Sequence, residues 1–217
     1  MIKLFILGGP IMWPILIASL IALTVVIERF IFIAQGKINE QPEVVSQILS
    51  KVERGELDAA IRSGKGSKDY IAKTLTYALE HRDKSVSDAL LRAANWELQR
   101  FSRGLSILDT IITLAPLLGL LGTVTGMIHS FSLLGGEELG APQAISGGIA
   151  EALIATAFGL GVAILALIPF NYLNSRLEEA RTDIQDAASH LELHLIRHPG
   201  CAFRGKEMPA APQEACL

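Results

Sequence analysis

Ser146–Asn171, SGGIAEALIATAFGLGVAILALIPFN, is apolar over the length of a bilayer crossing, yet it carries Glu151, Thr156, Gly159 and Gly161 inside the run. About 20 apolar residues at a rise of about 1.5 Å span the hydrocarbon core as a helix, so the stretch reads as transmembrane. A helix that met only lipid would be mostly Leu, Ile and Val. Here Glu151, Ala155, Gly159 and Ala163 fall at i, i+4, i+8 and i+12, a narrow stripe of small side chains with a carboxyl at its start. Thr113–Phe131, TLAPLLGLLGTVTGMIHSF, has the same character: Gly119, Gly122, Thr123, Thr125 and Gly126 interrupt it, and Gly122 with Gly126 makes a second small-xxx-small pair. Helices associate in lipid through close packing and hydrogen bonds rather than hydrophobic burial. Both stretches are therefore predicted to pack against other helices through Gly119, Gly122, Gly126, Ala155, Gly159 and Ala163.

Working outward, half of the 217 residues are hydrophobic and 19% are charged, which leaves room for three spans and one modest soluble region. The predicted class is an all-α integral membrane protein. A net charge of −3 argues against a nucleic-acid partner, which selects for a basic face. Cys201 and Cys216 lie in a polar tail without metal-ligand spacing and read as free thiols. The first apolar run, Leu4 to Ile33, follows only Lys3 and is too long for the core of a cleavable signal peptide. It is read as a first span from Pro14 to about Ile27, extended outward through Ile11–Trp13 and inward to Phe32.

Between Gln35 and Arg103 the periodicity becomes that of amphipathic soluble helices. Pro42 opens one, with Val44, Val45, Ile48, Leu49 and Val52 at helical spacing, and Gly55 ends it. A second starts at Leu57 and stops near Gly64 and Gly66; Asp69–His81 forms a third. Ser85 or Ser87 caps a fourth beginning near Asp88, and this helix is expected to continue through Gly104 into the second span, since one internal glycine costs only about 1 kcal/mol. Pro116 and Pro169 are the expected kink positions. The predicted organisation is 1–34 outward N-terminus and first span, 35–104 soluble helical region, 105–134 second span, 135–145 loop, 146–173 third span, 174–198 charged helix and 199–217 disordered tail. The 135–145 loop has no Lys or Arg, whereas 35–103 and the C-terminal extension hold nearly all of them. By the positive-inside rule the soluble region and C-terminus are cytoplasmic, and the N-terminus faces outward.

No phosphate-binding glycine loop, His/Cys cluster or Ser/His/Asp arrangement is present, so no catalytic residue, cofactor or metal is expected. Thr123 and Thr156 sit at mid-depth and admit two readings: a polar lining that holds water or ions, or hydroxyls that simply bond the carbonyl one turn back. Glu151 is costly inside a membrane, about 2.5–3.5 kcal/mol unless solvated, paired or neutral, and is read as functional. Asp109 and Glu28 are read as interfacial, and His129 as a solvated residue at the outer end of its span.

The segments APLLGLLGTVTGMIHSF and GGIAEALIATAFGL, with the opening GGPIMWPILIASLIALTVVIERF, resemble the hallmark segments of the MotA/TolQ/ExbB proton channel family, most closely its ExbB-type branch. The resemblance implies a homopentamer in the bacterial inner membrane whose second and third spans enclose the helices of an ExbD- or TolR-like dimer, the partner's aspartate carrying the proton. It implies that Thr123, Thr156 and Glu151 line the proton pathway, and that work passes to a TonB-like or TolA-like protein. Two positions depart from the pattern: Thr125 where many members have Trp, and Leu165 at a usual proline position, with Pro169 one turn later. Three alternatives stand beside the ExbB-type reading: a TolQ-like envelope motor, a non-conducting scaffold that clamps a partner helix, and a solute pore.

Overall fold

The computed structural model describes residues 2–82, 85–132 and 142–197. Every regular element among them is an α-helix: α1 Ile2–Leu7, α2 Met12–Ile38, α3 Pro42–Glu53, α4 Leu57–Gly64, α5 Tyr70–Glu80, α6 Val86–Ser102, α7 Leu105–Ser132 and α8 Pro142–Arg197. Among the described residues three stretches are long and apolar enough to cross a membrane: α2, α7 and, within α8, Ser146–Leu195. The expected loop at 135–145 falls largely outside the described residues, as does the tail with Cys201 and Cys216. The chain divides into two compact units, residues 1–31 with 104–174, and residues 32–103 with 175–217.

In the first unit α2 and α7 bury large residues near one end, among them Met12, Ile15, Leu108 and Ile111, and small residues further along. α2 buries Ala18 and Ala22 and exposes Leu20 and Leu23; α7 buries Ala115, Gly119, Gly122 and Gly126 and exposes Leu117 and Leu120. α8 buries Gly148, Ala152, Ala155, Gly159, Ala163 and Ala166 and exposes Leu153, Ile164 and Leu165. Small residues let backbones approach, and the exposed large apolar ones are left to meet lipid or other chains. The expected continuity of α6 into α7 does not occur. The helix ends at Ser102, Gly104 adopts φ +83°, and α7 restarts when Leu108 N–H donates to Gly104 O at 3.1 Å. Glycine takes that left-handed conformation at no steric cost, and a Cβ there would come within 2.9 Å of Val25 Cγ1. Upstream, α1 is a further helix that the sequence reading merges into one run; Phe5 meets Trp13 edge-to-face across the intervening turn, centroids 5.5 Å apart.

The second unit is a small helical core of ordinary water-soluble pattern. Ile48 and Val52 of α3, Leu75 and Leu79 of α5, Leu90 of α6 and Leu191 of α8 pack together. Asp69, 3% exposed, fixes its geometry: the carboxylate caps α5 by accepting from Ile71 N–H (2.8 Å) and Ala72 N–H (3.1 Å), and also accepts Gln41 N–H (2.7 Å) just before α3. Beside it, Tyr70 donates its hydroxyl to Asp183 at 2.8 Å. Burial first, then that bond and the charge of Asp183, raise the tyrosine pKa well above its ordinary range. Asp69→Ala strands three backbone donors and is expected to cost about 2–3 kcal/mol. Chemical denaturation of the purified protein checks this; a loss below about 0.5 kcal/mol, the usual ceiling for a featureless surface position, contradicts the assignment.

Candidate functional site

The site is built on the antiparallel seam between α7 and α8. A Cβ added at Gly159 would lie 2.5 Å from Ala115 O and 3.1 Å from Gly119 Cα; one at Gly119 would lie 3.0 Å from Thr156 Cα. At Gly122 it would meet Ala155 Cβ at 2.5 Å, and at Gly126 both Ala152 Cβ and Gly148 O at 3.0 Å. The helices therefore touch backbone to backbone over three turns, through Gly119, Gly122, Gly126, Ala155 and Gly159 together with Ala115, Gly148 and Ala152, which the spacing did not single out. Ala163 is buried further along the same helix.

This closeness gives Thr156 its partner. Its hydroxyl lies 3.0 Å from Gly119 O on α7 and 3.3 Å from Ala152 O one turn back, so the shorter bond crosses the seam. Thr123 bonds Leu120 O within its own turn at 2.7 Å. Thr125 does likewise, to Leu121 O at 3.0 Å and Gly122 O at 3.2 Å. The plain reading of a membrane threonine thus describes Thr123 and Thr125 but only part of Thr156. A donating hydroxyl keeps oxygen lone pairs, so each can still accept from water or a proton carrier.

Glu151 leaves the stripe assigned to it. The seam starts at Gly148 and Ala152, while the Glu151 carboxylate occupies the space where a Gly9 side chain would be. Gly9 has φ +70° in the turn between α1 and α2, so backbone shape and lack of a side chain both suit this place. Five residues at about 100° per residue separate Glu151 from Thr156, which sends them to different sides of α8 over about 7.5 Å of its length. The sequence signal for the Glu151 environment was the Gly8–Gly9 pair, which apolarity alone does not connect to residue 151.

The other polar positions lie apart from the seam. Asp109 and His129 are exposed, and Glu28 pairs with the buried Arg29 at 2.6 Å. α7 and α8 continue as helices through Pro116 and Pro169.

Residues 63–186 match the sequence profile of the MotA/TolQ/ExbB proton channel family. An ExbB-like biopolymer transport protein of Synechocystis sp. is 39% identical over 196 residues, covering 87% of this chain and 76% of that protein. The Tol-Pal system protein TolQ of Haemophilus influenzae is 38% identical over 100 residues, 46% of this chain and 44% of the relative. The biopolymer transport protein ExbB of Neisseria gonorrhoeae is 37% identical over 99 residues, with 46% and 45% covered. Three apolar helices of spanning length and a glycine-packed seam are those of a membrane protein, and the matched profile places it in the proton-channel class. The chain belongs to the MotA/TolQ/ExbB proton channel family.

Proposed function

We propose that this chain is the proton-conducting subunit of an ExbB-type inner-membrane motor, which uses the proton-motive force to energise outer-membrane transport through a TonB-like protein. The observation that carries the reading is the half-buried hydroxyl and carboxylate of Thr156 and Glu151 on an otherwise apolar membrane helix whose packing is supplied by glycine and alanine. Polar groups that packing does not need are available for conduction. In this reading the chain forms a homopentamer around an ExbD- or TolR-like single-span dimer, whose aspartate binds the proton. Thr123, Thr156 and Glu151 line the path in this reading, Thr156 from the α7–α8 seam and Glu151 from another side of α8, beside the Gly9 turn. The large exposed residues of α2, α7 and α8 then meet lipid and neighbouring copies. The N-terminus is periplasmic, and the second unit and the C-terminus are cytoplasmic.

ExbB of Neisseria gonorrhoeae and TolQ of Haemophilus influenzae each match 46% of the chain, at 37% and 38% identity, so the relatives are compatible with either branch. Complementation separates them: the motor assignment to the ExbB branch expects rescue of TonB-dependent uptake in a strain lacking its own ExbB-type pair, when the partner is co-expressed. Rescue of envelope integrity alone favours the TolQ branch. Proton flux into cells or proteoliposomes carrying both chains tests conduction itself, and absence of flux with an assembled complex leaves the scaffold.

A further inference from the structure

The sequence reading expects no metal, but the fold of the second unit brings together three side chains with the donors for one. Glu53 ends α3; His190 and His194 stand one turn apart on α8. His194 Nε2 is 3.3 Å from Glu53 Oε1, and His190 Nε2 is 3.9 Å from the same oxygen. All three donor atoms lie within 4.8 Å of one another. The imidazole rings, centroids 4.9 Å apart, project from one helix face as an i, i+4 pair should.

We propose that Glu53, His190 and His194 form a zinc site that clips α3 to α8. Metal–ligand bonds of about 2.0–2.2 Å in a tetrahedral shell place neighbouring donors about 3.3–3.5 Å apart. The His194–Glu53 pair already has that separation; the other two pairs, His190–Glu53 at 3.9 Å and the two imidazoles within 4.8 Å, close when the exposed His190 side chain turns inward. Two neutral imidazoles and one carboxylate suit zinc; magnesium and calcium prefer all-oxygen shells. The side chains of Glu53 and His190 are 45% and 47% exposed, so the ion has an entry path and water can fill a fourth position. Beneath the cluster, Ile48 and Val52 share a core with Ala187 and Leu191, so the two helices are held in register before any ion arrives. Preorganisation of this kind lowers the cost of binding. The ion would stabilise the second unit by mass action and make its rigidity depend on available zinc.

The test is calorimetric titration of zinc chloride into the purified full-length chain, without a polyhistidine tag and carrying Cys201→Ser and Cys216→Ser so that thiols do not compete. Saturable binding of one ion per chain is expected, with a rise in melting temperature on addition of zinc. His190→Ala with His194→Ala should weaken binding at least about 100-fold, and Glu53→Gln about tenfold, both abolishing most of the thermal shift. Cobalt(II) in place of zinc should give the intense visible bands of a tetrahedral ion, lost in the double-histidine variant. Glu53→Gln replaces an exposed group by a near-isostere, so its result stands even if the double variant loses helicity. Zinc affinity in Glu53→Gln and in the double variant equal to that of the starting chain, or no saturable binding by the starting chain, overturns the site.

Discussion

Gly159→Val is expected to prevent α7 and α8 from closing, with a loss at or above about 3 kcal/mol, the upper end of overpacking costs. The reason lies in what the new atoms would strike. The first of them, Cβ, already falls 2.5 Å from Ala115 O and 3.1 Å from Gly119 N and Cα, which are backbone atoms of a helix and cannot rotate away. Two further methyl groups enlarge the overlap, so relief requires the helices to move apart by about 1 Å or more. That separation also loosens the contacts at Gly119, Gly122 and Gly126 and breaks the Thr156–Gly119 bond, since all lie on one seam. Gly161→Val provides the control: two residues along the same helix, an added Cβ has no neighbour within 4 Å. Thermal unfolding and gel filtration of both purified variants decide the matter. A low melting temperature and aggregation for Gly159→Val beside near-normal behaviour for Gly161→Val are expected; equal behaviour would sink the seam.

The contrast between these glycines shows what was legible in the sequence. In the soluble region the alternation of Val44, Val45, Ile48, Leu49 and Val52 with polar residues marks α3, because burial in water sorts by polarity. Inside the membrane both faces of α2 are apolar, and nothing in that contrast distinguishes buried Ala18 from exposed Leu20. The informative pattern there is size, and the spacing of Gly119, Gly122, Gly126, Ala155 and Gly159 displays it. Spacing gives a helix face but not the object that meets it. Glu151 shares the i, i+4 series with Ala155, yet the slow drift of that series around the helix carries it off the seam and onto the Gly9 turn. The break at Gly104 was hidden for a related reason: a glycine inside a helix and a glycine that ends one are the same letter, and only the positive φ separates them. Glu53 and His190 are farther still from any local pattern, since two helices distant in sequence must pack before the donors meet.

Thr156→Val should leave assembly intact and reduce proton flux and energised uptake by about tenfold or more, equivalent to raising the barrier by about 1.4 kcal/mol. Valine keeps nearly the shape of threonine, so the glycine seam closes around it as before. The lost hydrogen bond to Gly119 O is worth about 0.6 kcal/mol in a membrane setting, too little to dissolve helices held by backbone contact. Any larger functional deficit must then come from the missing hydroxyl. Thr156→Ser sharpens this, since serine restores the O–H and omits the methyl: flux returns if the hydroxyl relays protons or water, and stays low if the methyl was filling space. Glu151→Gln asks the parallel question of the carboxylate. Glutamine can occupy the same place beside Gly9, so assembly should persist, and loss of flux would trace to the missing carboxyl group. Measured at matched protein levels with the partner present, loss in Thr156→Val and Glu151→Gln with recovery in Thr156→Ser supports the proton pathway. Normal flux and uptake in Thr156→Val and Glu151→Gln would remove both residues from it. The same polar groups would then be parts of a seam and a turn, and a scaffold that clamps a partner helix would account for them.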